Sequence, residues 1–163
     1  TETEDFGPVS SWGDDTVLVI DTLNFMSKAA LRAAKAKAGK SLTQKASLAE
    51  WGDALADVEN VISWLTGSEV KCNLIANTHI KHIEDEDGIS KAYPAIEGQN
   101  LAKQIAGYFN VVVRIDPKKD GKRIIRTVSD HKMALKTPSS TIPAEIEPDL
   151  ALLFKYVRGQ PTT

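Results

Sequence analysis

The stretch Thr16-Val17-Leu18-Val19-Ile20-Asp21-Thr22 limits the possible folds more than any other. Four consecutive aliphatic residues read as a strand buried on both faces, because a half-exposed strand alternates polar and apolar side chains. Strands of that kind belong to parallel sheets covered by helical crossovers. The run closes on a carboxylate, so Asp21 falls at the carboxyl end of the strand, the edge where open α/β sheets bind ligands. Two roles are open to it. A carboxylate so placed can hold Mg²⁺, usually through a water, whereas Asp and Thr can also satisfy free N–H groups where a helix begins.

The 163 residues suffice for one compact domain with a real core. No apolar run is long enough to span a bilayer, and Thr1-Glu2-Thr3-Glu4-Asp5 is acidic where a signal peptide is basic. A soluble, cytoplasmic protein with no membrane partner is expected. Cys72 is the sole cysteine and lies in an apolar stretch, which points to a small buried hydrophobe rather than a disulfide or zinc ligand. The net charge of −2 hides an uneven distribution. From Leu23 to Ala49 there is no acid, but there are Lys28, Arg32, Lys35, Lys37, Lys40 and Lys45. Such a segment is either a solvated face or a surface for a phosphate backbone.

Residues 1–15, with Gly7-Pro8 and Gly13-Asp14-Asp15, read as a tail or linker anchored by Trp12. A single domain over 16–159 and a short tail at 160–163 complete the expected organisation. Beyond Asp21 the Ala-rich, basic segment has high helix propensity but no wide apolar stripe. Between Lys28 and Lys45 this predicts a flexible loop or marginal helix rather than a packed element. Its Gly39-Lys40-Ser41 imitates the end of a P-loop, but Ala34 stands where the motif requires its first glycine and the preceding residues are helical. No other G-x-x-x-x-G-K-[ST] occurs.

Ser47-Leu48-Ala49-Glu50 is a capping box. It opens a helix with apolar positions Leu48, Trp51, Leu55, Val58, Ile62 and Leu65, and Gly67 ends it. That helix leads into Lys71–His79, a second buried strand, expected to lie parallel to the first after a right-handed crossover. Asn77, Thr78 and His79 would then share the sheet edge with Asp21. His79 and His82 lack a third ligand at any recognisable spacing, and Glu84-Asp85-Glu86-Asp87-Gly88 lacks the spacing of a calcium loop. An acidic loop fits the latter better. Tyr93–Gly98 is a non-helical approach to a short helix, Gln99–Tyr108. Asn110–Ile115 and Lys122–Val128 flank an Asp116–Gly121 turn as a hairpin. A last amphipathic helix carries Leu150, Leu153, Phe154 and Val157.

In this order, Trp12-Gly13, the Val17–Leu23 strand end, Ala76-Asn77-Thr78-His79, Tyr93-Pro94 with Gly98, Tyr108-Phe109-Asn110, and Arg126-Thr127 with Lys136 resemble the phage-encoded RecA-like P-loop ATPases of AAA type. The resemblance implies an α/β fold, a partial RecA-like P-loop NTPase core with a mostly parallel sheet, helical crossovers and a C-terminal β-hairpin. It implies that Asp21 is the Walker B aspartate and reaches Mg²⁺ through water, with Thr22 beside the nucleotide. Asn77 or His79 would sense the γ-phosphate, and Lys136 would reach a phosphate in its own or a neighbouring subunit. ATP and Mg²⁺ are the implied cofactors. The implied partners are single-stranded DNA, further copies of the chain, and a phage single-strand-binding or annealing protein, in the bacterial host cytoplasm. The P-loop is missing from the match, and its strand would belong between Leu74-Ile75 and Val111–Val113. The chain therefore resembles the C-terminal portion of a longer ATPase and alone should not hydrolyse ATP. The alternative is a non-catalytic α/β binding or assembly module with a vestigial nucleotide edge.

Overall fold

The computed structural model describes residues 5–84 and 87–160. Among the described residues it is a mixed α/β structure of four α-helices and three small sheets, and its backbone divides into two units. The first comprises Thr1–Lys81 and Tyr93–Tyr108, the second His82–Ala92 and Phe109–Thr163.

In the first unit, β1 (Val17–Asp21) and β2 (Asn73–Asn77) form a parallel pair in the register Val17 to Asn73 through Asp21 to Asn77. The connection between them holds α1 (Leu23–Lys37) and α2 (Leu48–Leu65), which pack side by side. The capping box is present, with Glu50 accepting the Ser47 backbone N–H at 2.7 Å. Along α2 the buried stripe is Ala54, Val58, Ile62 and Leu65, with Ile62 fully enclosed; burying such a side chain stabilises by about 1.5–3 kcal/mol. Leu48, expected on that stripe, is 91% exposed, although Glu50 on the same first turn is buried. Cys72 is buried and free, as its apolar setting implied. Trp12 donates its indole N–H to the Phe6 carbonyl at 2.8 Å, tying the N-terminal segment to itself.

Three expectations need correction. First, β1 is not covered on both faces. Its burial alternates, with Val17 47% and Val19 52% exposed while Leu18 and Ile20 are half-buried. The pair β1–β2 has one open face among the described residues, so a continuous apolar run here does not mean two-sided burial. Second, the sheet is not mostly parallel: among the described residues β1–β2 is one of three separate sheets. Third, the basic segment is not a loose element. α1 packs on α2 and buries Leu23, Ser27, Ala34 and Lys35.

The chain runs out along β3 (Ile80–Glu84) and back along β4 (Ser90–Pro94), which pair with each other. Of the acidic run, Asp85 and Glu86 lie outside the described residues. Returning to the first unit, α3 (Gln99–Gln104) continues into a 3₁₀ turn over Ile105–Tyr108.

In the second unit, β5 (Arg114–Pro117), β6 (Arg123–Arg126) and β7 (Glu145–Ile146) form an antiparallel sheet. The expected hairpin is its β5–β6 pair, shifted along the chain: Asp116 and Pro117 are strand residues rather than turn, and the turn is closed by the Lys118 N–H to Lys122 carbonyl bond at 2.7 Å. Val111–Val113 are not a strand of a central sheet. Val112 instead exchanges backbone hydrogen bonds of 2.7 and 2.9 Å with Lys136. The helix α4 (Leu150–Val157) is capped by Asp149, whose carboxylate accepts the Ala151 N–H at 2.8 Å and the Leu152 N–H at 3.3 Å. Leu153 packs with Ile125 and Ile146. Across β5 and β6, Asp116 lies between two arginines that are themselves register partners, Arg114 and Arg126. Arg114 Nη2 donates to Asp116 at 3.0 Å and Arg126 Nε at 2.8 Å. Arg126 also pairs with Glu145 at 3.3 Å, and Arg114 with Asp130 at 3.3 Å. Among the described residues, no helix is long and apolar enough to cross a membrane.

Candidate functional site at the carboxyl edge of the parallel strands

Asp21 and Asn77 are register partners at the last rung of the β1–β2 ladder, and both are exposed. Neighbouring strands lie about 4.8 Å apart, so the carboxylate and the amide stand side by side. The crossover expectation therefore holds for Asp21 and Asn77. Among the described residues the Asp21 carboxylate makes no hydrogen bond or ion pair. It does not cap α1. The N-cap position belongs to Thr22, whose carbonyl accepts the N–H groups of Phe25 and Met26, each at 3.1 Å. The Thr22 hydroxyl donates to the Asn24 side-chain oxygen. The peptide bond between Asp21 and Thr22 is cis.

The sequence reading passed over two groups, Ser27 and the Ala95–Glu97 backbone. Ser27, buried on the first turn of α1, donates to the Asn24 carbonyl at 3.0 Å and accepts the Glu97 N–H at 3.2 Å. The His79 carbonyl accepts the Ala95 N–H at 2.7 Å, and Lys81 Nζ donates to the Ile96 carbonyl. Ala95–Glu97 is thereby pinned between His79, two residues past the end of β2, and Ser27 on α1. The signal in sequence was Gly98, the hinge of this segment. It has φ +79°, and a Cβ there would lie 2.8 Å from the Leu55 side chain. His79 enters the arrangement through its carbonyl. Lys136 belongs to the second unit.

A lone exposed carboxylate suits Mg²⁺, which keeps several waters and takes one or two carboxylates together with substrate phosphates. Among the described residues, no group of three or more His, Cys, Asp and Glu side chains is gathered for a metal. Asp21 could thus contribute one oxygen, with phosphate and water supplying the others.

The six basic residues of the expected nucleic-acid segment divide into two sets. Lys35 is buried and donates Nζ to the Leu42 carbonyl at 2.6 Å. Lys40 lies 2.7 Å from Glu50 and holds that carboxyl below the ordinary carboxylate range, helped by the Ser47 backbone N–H. Both ammonium groups serve the loop between α1 and α2. Lys28, Arg32, Lys37 and Lys45 remain exposed.

A family model described as an AAA domain matches residues 14–139, more than half of the chain. No curated protein and no solved structure matches it.

Proposed function

The chain belongs to the AAA domain family of P-loop ATPases, and on that premise we propose that the Asp21–Asn77 edge faces the phosphates of a bound nucleotide, with Asp21 directed at Mg²⁺ through water. The observation that carries this reading is the register of Asp21 with Asn77 at the carboxyl end of two parallel strands, where the carboxylate has no hydrogen-bond or ion-pair partner among the described residues. In this role Asn77 senses the γ-phosphate, with His79 the alternative, and Thr22 lies beside the nucleotide. Mg²⁺ would neutralise charge on the phosphates. The Asp21 carboxylate would hold the ion through water, and Ser27 with the pinned Ala95–Glu97 segment braces the start of α1 against the chain beyond β2. Lys136 is proposed, from the resemblance alone, as a further phosphate contact in its own or a neighbouring subunit.

These 163 residues contain no P-loop motif, so the amides and lysine that cradle the β- and γ-phosphates must come from outside them. Without those groups nothing positions the transferred phosphoryl group. The finer reading, resting on the resemblance to phage recombination ATPases, is an oligomeric nucleotide-driven protein of recombination or replication. It acts on DNA through Lys28, Arg32, Lys37 and Lys45. The direct test uses a chain that includes a P-loop. Asp21→Asn should abolish Mg²⁺-dependent ATP turnover while circular dichroism stays unchanged, and the 163 residues alone should show no turnover. Turnover surviving Asp21→Asn would reduce Asp21 to a structural residue.

A further inference from the structure

The outward face of α1 carries more than charge. At 100° per residue, Phe25, Lys28, Ala29, Arg32 and Ala36 fall within one stripe, and all five are exposed. Phe25 is 62% exposed, an unusual position for an aromatic ring on a helix that has a buried face available. Lys28 Nζ lies 5.9 Å from the centre of that ring, over its face. Arg32, one further turn along, has no ion-pair partner among the described residues. Two acids of the neighbouring helix, Asp53 and Asp57, line a groove with Ala33 and Lys37, which lie on a different face of α1.

We propose that Phe25, Lys28 and Arg32 form a binding strip for single-stranded nucleic acid, in which Phe25 stacks on a base while Lys28 and Arg32 contact the flanking phosphates. This deepens the DNA-binding part of the proposed function and rests on it. Charge complementarity selects the partner, since the strip carries two cations in a segment of 27 residues (23–49) without an acid. The ring selects the form of nucleic acid. A duplex buries the faces of its bases within the stack, whereas a single strand presents them, and every base has a face on which an aromatic side chain can stack. The helix rise of about 1.5 Å per residue puts Arg32 roughly 10 Å along the axis from Phe25, room for a base on the ring with a phosphate held beyond it. Phe25 also lies on the first turn of α1, four residues from Asp21, so a strand held here sits next to the edge assigned to nucleotide.

The test is anisotropy titration of the protein with a labelled oligothymidine and with a labelled duplex, each over a range of salt. The protein should favour the single strand. Phe25→Ala should weaken single-strand binding by roughly 5- to 150-fold, the range for loss of one stacked base, and leave duplex binding unchanged. Phe25→Trp should restore single-strand binding. Lys28→Ala and Arg32→Ala should each flatten the salt slope by about 0.7. If Phe25→Ala binds the single strand as wild type does while the lysine and arginine variants weaken it, the strip is electrostatic only. The stacking proposal then fails and the broader DNA reading stands. If polyglutamate competes as well as oligothymidine, the face recognises an acidic partner of another kind and the proposal fails. If neither oligonucleotide binds the wild type, the DNA reading falls, and this proposal with it.

Discussion

Gly98→Ala combines a backbone and a packing penalty at the hinge of the pinned Ala95–Glu97 segment. Gly98 has φ +79° and ψ 125°, a region that side chains with a Cβ rarely adopt; holding one there costs on the order of 1–3 kcal/mol. The new methyl would lie 2.8 and 2.9 Å from the two terminal carbons of Leu55. Leu55 is only half-buried and can turn aside, which puts that clash near the lower end of the roughly 1–3 kcal/mol range for overpacking. The sum is about 2–4 kcal/mol. Trp12, Trp51 and Trp64, the only tryptophans, lie in the same unit as Gly98, so tryptophan fluorescence during urea unfolding reports on that unit. With a slope of about 2 kcal/mol per molar urea, the midpoint should fall by roughly 1–2 M. Gly52→Ala is the matched control. Gly52 lies inside α2 with open space around its Cα, and alanine there should raise stability by roughly 0.5–1 kcal/mol. A Gly98→Ala midpoint equal to or above wild type would refute the assignment of Gly98 as the required hinge of the Ala95–Glu97 segment.

Two further expectations concern charge. The Lys40 hydrogen bond and the Ser47 backbone N–H hold the Glu50 carboxyl below the ordinary range. Its contribution is therefore present above the unfolded-chain value and lost as pH falls through the depressed folded value. The stability gap between wild type and Glu50→Gln, measured by urea unfolding, should shrink between about pH 6 and pH 3; a constant gap would show that the charge contributes nothing. At Asp116, burial alone would raise the carboxyl, but hydrogen bonds from Arg114 and Arg126 outweigh it and leave the group below its ordinary value. Asp116→Asn would leave two arginines facing each other across β5 and β6. It should cost roughly 1–3 kcal/mol near neutral pH, read as a fall in the melting temperature, and an unchanged melting temperature would mean solvent screens the network.

The parts of the fold legible in the sequence were those set by local chemistry. Ser47 and Glu50 fixed the start of α2 and the apolar run and its carboxylate fixed β1 with Asp21 at its end. The β5–β6 hairpin was legible through its Asp-Gly turn, although the turn begins at Lys118 and Asp116 and Pro117 belong to β5. What escaped depends on tertiary context. Ile80-Lys81-His82-Ile83-Glu84 mixes charge with isoleucine, so β3 carries no clean alternation, and the two residues of β7 are too few to show any period. An apolar run cannot report what covers it, hence the exposed Val17 and Val19. Lys35 was read as a surface cation because its acceptor, the Leu42 carbonyl, is supplied only once the loop folds back. Of the site, Asp21 and Asn77 were legible through the crossover rule, whereas Ser27 and the Glu97 backbone meet across 70 residues of sequence.

The most direct test of the account replaces Mg²⁺ by paramagnetic Mn²⁺ in the ATP complex of a chain that includes a P-loop, and records amide line broadening residue by residue. The amides of Asp21, Thr22 and Asn77 should be broadened together, and Asp21→Asn should greatly weaken the effect at all three. Broadening centred elsewhere, with Asp21 and Asn77 left sharp, would contradict the assignment of this strand edge to the nucleotide.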